Sequence, residues 1–99
     1  MKINSQKDGT QLVVAIEGRL DTTSAPQLEE AMKESLPGVE MLAFDFSALE
    51  YISSAGLRVL LSTQKVMNKQ GKMVIRKAND VVKEVFDMTG FSDILTLED

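Results

Sequence analysis

Met41-Leu42-Ala43-Phe44 is an uninterrupted apolar run bounded by Glu40 and Asp45. Four residues are too few for a helix of ordinary length, so the run predicts a buried strand. What precedes it decides the fold. Ser24-Ala25-Pro26-Gln27 has the N-cap, first-turn proline and capping-box spacing of a helix start. Leu28, Ala31, Met32, Ser35 and Leu36 then share one helical face, and Pro37-Gly38 ends the element. Upstream of that helix, Leu12-Val13-Val14-Ala15-Ile16 is apolar at consecutive positions and largely β-branched, which predicts a central strand covered on both faces. Strand, amphipathic helix and strand make a crossover unit, so the two strands are expected to pair in parallel.

Working outward, Lys2 to Ser5 is a candidate first strand, and Lys7-Asp8-Gly9-Thr10 has the turn chemistry to fold it back as a hairpin. After Phe44, Asp45-Phe46-Ser47 leaves the strand, and Leu49 and Tyr51-Ile52 return the chain to the interior. Ser53-Ser54-Ala55-Gly56 then opens a second helix with small residues. Leu57, Leu60, Leu61 and Met67 gather on one side of it and Ala55, Val59 and Val66 on another, leaving Arg58, Ser62, Lys65 and Lys69 as a narrow polar stripe. Gln70-Gly71 closes it and Met73-Val74-Ile75 reads as a short strand. Asn79 caps a last helix that is expected to turn Val81, Val82, Val85 and Phe86 inward, and Thr89-Gly90 stops it. Phe91, Ile94, Leu95 and Leu97 form an apolar tail suited to packing on the core, as either strand or short helix.

Ninety-nine residues, 43% of them hydrophobic, predict one domain over residues 1–99 with a single core. The formal net charge of −4 and the absence of a basic stripe argue against nucleic-acid binding. The chain contains no cysteine, which excludes disulfides, thiolate metal sites and cysteine nucleophiles and suits a reducing compartment. It contains no histidine either, which removes the commonest general base and metal ligand. No apolar run is long enough to span a bilayer, and the expectation is a cytoplasmic protein without direct membrane contact.

A serine nucleophile would need a base within hydrogen-bond reach. Lys65 and Lys69 lie eleven and fifteen residues beyond Ser54 on the same helix, a separation of roughly 16 to 22 Å at the helical rise. Asp21 and Asp45 each follow a strand and could meet at one sheet edge as a magnesium site, although aspartates in such loops are more commonly turn formers. Gly71-Lys72 lacks the rest of a phosphate-binding loop, and no G-x-G-x-x-G occurs. Ser54 is left, with Arg58 one turn beyond it. Its hydroxyl sits where backbone N–H groups have no intrahelical partner, so it can cap the helix or, once phosphorylated, place a dianion there with Arg58 as a charge-assisted partner. Ser53 is an equally good cap by position, and Gly56 is explained by close packing alone.

Four segments, in this order and spacing, resemble the STAS domain family and, within it, the small stand-alone anti-sigma factor antagonists of bacteria. They are Glu17-Gly18-Arg19-Leu20-Asp21, Asp45-Phe46-Ser47, Tyr51-Ile52-Ser53-Ser54-Ala55-Gly56-Leu57 and Phe86-x-x-Thr89-Gly90-Phe91. The resemblance implies a single α/β domain with a mixed four- to five-stranded β-sheet and about four helices packed against it. It also implies a non-enzymatic phosphoprotein that regulates transcription by partner switching. In such systems the unphosphorylated antagonist binds a kinase anti-sigma factor and frees the sigma factor. The anti-sigma factor serine kinase then phosphorylates one serine to end the interaction, and a serine phosphatase restores it.

By position the phosphorylated residue is Ser54, with Ser53 as a competing site. The partner surface implied by the resemblance comprises Asp21, Thr22, Thr23, Ser53, Ser54, Ala55, Gly56 and Arg58. No cofactor belongs to the chain itself, because ATP and metal belong to the partners, and a monomer that forms a heterocomplex is expected. Many switching members have Asp before the acceptor and Ser after it, where this chain has Ser53 and Ala55. The same family also supplies constitutive interaction modules of transporters and sensory assemblies, which is the alternative role.

Overall fold

A computed structural model describes residues 1–98. The chain runs β1 (Lys2–Asp8), β2 (Gln11–Leu20), α1 (Ala25–Ser35), β3 (Met41–Asp45), β4 (Leu49–Ile52), α2 (Ser54–Gln70), β5 (Lys72–Arg76), α3 (Asp80–Thr89), a 3₁₀ turn (Phe91–Asp93) and β6 (Leu97–Glu98). The expected hairpin forms: β1 pairs antiparallel with β2 around Gly9, whose φ of +62° is readily adopted by glycine. The crossover also forms, with β3 lying parallel to β2 and β5 parallel to β3. The strand order is β1-β2-β3-β5-β6, and β4 pairs in parallel with the second half of β2 beyond an irregularity at Gly18/Arg19.

Among the described residues the sheet has six strands rather than four or five, and three α-helices with one 3₁₀ turn replace the expected four helices. The additional strand comes from the tail, whose element type the sequence left open. It makes the 3₁₀ turn first and then pairs Leu97 and Glu98 with Ile75 and Arg76. Leu95 is buried there, while Ile94 stays half exposed.

The core lies on one face of the sheet. Register places Leu12, Leu42 and Met73 side by side, and Val14, Phe44 and Ile75 beside one another. These six join Leu28 and Met32 of α1, Leu57, Leu60 and Met67 of α2, and Val82 and Phe86 of α3 in one buried cluster. Val13, Ala43 and Val74 face the other way, and none of them belongs to that cluster. The reading of Leu12–Ile16 as covered on both sides is therefore corrected: Leu12, Val14 and Ile16 are buried, whereas Val13 is exposed. Only β2 alternates in this way: on the same outer face of β3 and β5, Ala43 and Val74 are buried although they lie outside the main cluster.

Two helical faces also differ from expectation. Val81 points outward, because the core-facing side of α3 is narrow and is filled by Val82 and Phe86. In α2, Thr63 and Gln64 are buried while Val66 is exposed. The Thr63 hydroxyl is accommodated by donating to the Val59 carbonyl, four residues back (2.8 Å). Asn79 caps α3 as expected, accepting from the Val82 N–H (2.8 Å) and also donating to the Leu49 carbonyl (2.9 Å), which fixes α3 to β4. No helix among the described residues is long and apolar enough to cross a membrane.

Candidate functional site

The start of α2 is held against the end of β2 by contacts that leave little freedom. The Ser53 N–H donates to the Leu20 carbonyl (2.9 Å), and the Leu57 N–H donates to the Ser53 carbonyl (3.0 Å), closing the first helical turn. Gly56 is buried at the crossing point. A Cβ there would stand 2.7 Å from Leu20 Cγ and 2.8 Å from Ile52 Cγ1, so only glycine lets the helix approach the two strand ends this closely.

This arrangement separates the two serines. Ser53 occupies the N-cap position in extended conformation, but its hydroxyl makes no capping bond, and its Oγ is enclosed without a hydrogen-bond partner. Ser53, as good a cap as Ser54 by sequence, is thus a cap by position and not through its side chain. Ser54, the first residue of α2, is exposed.

The loop after β2 is built by Asp21 and Ser24. Asp21 Oδ1 accepts from the N–H groups of Thr23 (3.0 Å) and Ser24 (3.2 Å). Ser24 Oγ accepts from the Asp21 N–H (2.9 Å) and donates to the Arg19 carbonyl (2.8 Å). Ser24 is therefore the N-cap residue of α1 by position only, because its hydroxyl is spent on the loop. The Ser24 N–H is the largest influence and holds the Asp21 carboxyl below its ordinary range; desolvation, next in size, opposes it, and the Thr23 N–H, the Ser24 hydroxyl and the Arg19 charge add to the lowering. Asp45 is lowered in the same direction, chiefly by the Ser47 N–H (3.0 Å). Both aspartates thus act on their own turns, and among the described residues no three acidic or other metal-ligating side chains converge.

Thr22, Ala55 and Arg58 line an open groove of about 410 Å³ between α1 and α2, with Pro26, Glu29 and Ser62. The groove continues along the same helices into a more apolar stretch beside Met32, Leu36, Pro37 and Val66. Of the eight residues expected at a partner surface, Thr22, Thr23, Ser54 and Arg58 are exposed and Asp21, Ser53 and Ala55 partly so, although the Ser53 Oγ itself is enclosed. Gly56 is buried and acts as a spacer. Sequence reasoning assigned no role to Arg19 and Tyr51, which pair across β2 and β4. The Arg19 guanidinium lies 4.6 Å from the centre of the Tyr51 ring, and its Nε is 4.0 Å from Asp21 Oδ2. Both residues stand within the quoted segments, but their pairing depends on a strand register that no local pattern encodes.

Among known proteins, the chain is 34% identical over 96 residues to BtrV of Bordetella bronchiseptica, which carries the provisional name anti-sigma factor antagonist. That alignment spans 95% of this chain and 83% of BtrV. A crystal structure of an anti-sigma factor antagonist from Mycobacterium paratuberculosis superposes with a TM-score of 0.87 at 24% identity, over 97% of this chain and 83% of the other. The Bacillus cell fate determinant SpoIIAA, solved in its phosphorylated form, shares the fold with a TM-score of 0.76 at 15% identity, over 99% and 92% of the two chains. The STAS domain description matches residues 2–99. With the mixed sheet, the helices on one face and the serine-initiated α2 in place, this match establishes that the chain belongs to the STAS domain family.

Proposed function

We propose that this protein is an anti-sigma factor antagonist that works as a single domain, by binding rather than by catalysis, and is switched by phosphorylation of Ser54. Unphosphorylated, it binds a kinase anti-sigma factor and releases the sigma factor in the cytoplasm. The observation that carries the reading is the placement of Ser54. Its side chain is exposed at the first position of a 17-residue helix, beside a groove lined by Thr22, Ala55 and Arg58, while the neighbouring Ser53 hydroxyl is enclosed. A kinase can reach one of the two serines without unfolding the helix. Membership of the STAS family and likeness to named antagonists support the same role.

Phosphorylation would add about −1.5 to −2 charges and three acceptor oxygens at that position. In the free protein the dianion is tolerated, since it sits at the positive end of α2 and Arg58, one helical turn further on, can swing to it as a charge-assisted partner. In a complex the same dianion has to be desolvated and meets any carboxylate the partner presents, at a cost of several kcal/mol. The domain need not change shape to switch. A serine phosphatase would restore the binding form, and ATP and metal belong to the two enzymes.

The test is incubation with the cognate kinase anti-sigma factor and ATP, followed by mapping of the phosphate and titration of the complex. One phosphorylated species at Ser54 is expected, absent in Ser54→Ala, with Ser54→Asp weakening the complex by about ten-fold or more. A phosphate on Ser53, or a Ser54→Asp variant that binds with unchanged affinity, would refute the mechanism. A constitutive transporter or sensory module would instead tolerate Ser54→Ala and Ser54→Asp alike.

A further inference from the structure

The formal charge of −4 is not spread along the chain. Residues 1–78 carry ten lysines and arginines against nine aspartates and glutamates, whereas residues 79–99 carry six carboxylates and one cation, Lys83. All of the excess negative charge therefore belongs to the C-terminal segment, of which α3 is the main element. Asp80, Glu84 and Asp87 run along one side of α3, and Asp93 lies in the 3₁₀ turn after it, all exposed.

Beside that acidic edge, Val81, Val85 and Met88 recur at i, i+4 and i+7 and form one stripe. Val81 is 53% exposed, Met88 78%, and Ile94 beyond the turn 49%, so three of the five large apolar side chains exposed among the described residues fall in this segment. The opposite side of α3 is occupied, with Val82 and Phe86 fully buried in the core and Asn79 fixed to the Leu49 carbonyl. Val85, in the middle of the stripe, packs in part against the core, whereas Val81 and Met88 on either side of it leave most of their surface uncovered.

We propose that this face of α3 docks a cationic amphipathic helix of a partner protein. Apolar side chains of the partner would cover Val81, Val85 and Met88, and its lysines or arginines would face Asp80, Glu84 and Asp87. From Val81 to Met88 the stripe is roughly 10 Å long, which matches two turns of a docked helix. Charge complementarity selects a basic occupant over an acidic or neutral one and adds most to the rate of encounter. The surface lies on a different helix from Ser54 and does not rest on the phosphorylation reading.

The test is a titration of the isotope-labelled full chain, followed by amide NMR, with a synthetic leucine-lysine amphipathic peptide about three turns long. A peptide in which every lysine is replaced by glutamate serves as its counterpart. Shifts are expected at residues 81–88 and at Ile94, with binding that weakens as salt rises from about 50 to 300 mM. Met88→Lys, at a position exposed enough not to disturb folding, is expected to weaken binding about ten-fold, while Ser54→Asp leaves it unchanged. Equal binding of the glutamate peptide, shifts confined to α1 and α2, or indifference to Met88→Lys would overturn the proposal. Self-association in sedimentation experiments that is abolished by both Met88→Lys and Lys65→Glu would overturn it in favour of a second copy of this chain, whose α2 presents Arg58, Lys65 and Lys69.

Discussion

Gly56→Ala places one methyl group at the contact that positions Ser54, the proposed phosphorylation site. The new Cβ would lie 2.7 Å from Leu20 Cγ and 2.8 Å from Ile52 Cγ1, about 0.8 Å inside an ordinary contact of roughly 3.5 to 4 Å. Both neighbours are fully buried, and the atoms met are branch-point or chain carbons rather than flexible ends. The strain is therefore relieved by moving the first turn of α2 away from β2 and β4, against the Ser53 to Leu20 hydrogen bond.

Overpacking of this kind costs about 1–3 kcal/mol. The gain in helix propensity from glycine to alanine returns about 1 kcal/mol. With a Cβ this close to two buried side chains the overpacking cost falls in the upper part of its range, about 2–3 kcal/mol, so the net expectation is a destabilisation of about 1–2 kcal/mol, which for a domain of this size lowers Tm by roughly 4–16 °C. Circular dichroism through thermal and urea unfolding measures it, with Ser54→Ala, two residues away and exposed, as a control that should change little. A Gly56→Ala protein as stable as wild type or more so would mean that helix propensity governs this position, and the close approach of α2 to the strand ends would be refuted. The variant should also be a poorer substrate for phosphorylation at Ser54, because the displaced turn carries the acceptor.

Ser53→Ala makes a sharper distinction than its size suggests. A capping serine would cost about 1 kcal/mol when removed, whereas an enclosed hydroxyl without a partner should be lost at no cost or with a gain of up to about 1 kcal/mol, as urea unfolding would reveal. Asn79→Ala removes both the cap of α3 and the bond to Leu49, and a loss of about 2 kcal/mol is expected, with amide exchange accelerating first in α3. Asp21 and Asp45 have folded carboxyl groups held below their unfolded values, so their contribution is complete above pH 4 and fades as pH falls through the lowered folded values. Asp21→Asn should accordingly be less stable than wild type near neutrality, with the difference shrinking in acid. A gap that widened below pH 4 would contradict that sign.

Much of the fold is written locally. The crossover is announced by helix signals before Met41–Phe44, the hairpin by Gly9, and α3 by Asn79 and Gly90, because capping, turn and period-two signals act over a few residues. Ser54 at the start of α2 was equally legible, since a strand that ends at Ile52 and a helix that begins with small residues leave it no other place. Wherever burial depended on neighbours far along the chain, the local pattern misled: Val13 and Val81 are apolar and exposed, and Thr63 and Gln64 are polar and buried.

The sequence by itself determined which residues start and stop each principal element, and it placed one phosphorylatable hydroxyl at the head of α2. Only the tertiary structure decided that, of two adjacent serines, Ser54 is exposed while the Ser53 hydroxyl is enclosed. It also decided that Ser24 and Asp21 brace a loop instead of capping a helix, and that Arg19 stacks on Tyr51. Local preferences fix backbone conformation within a turn or two, whereas the enclosure of a side chain is set by residues tens of positions away, which meet only when the sheet assembles.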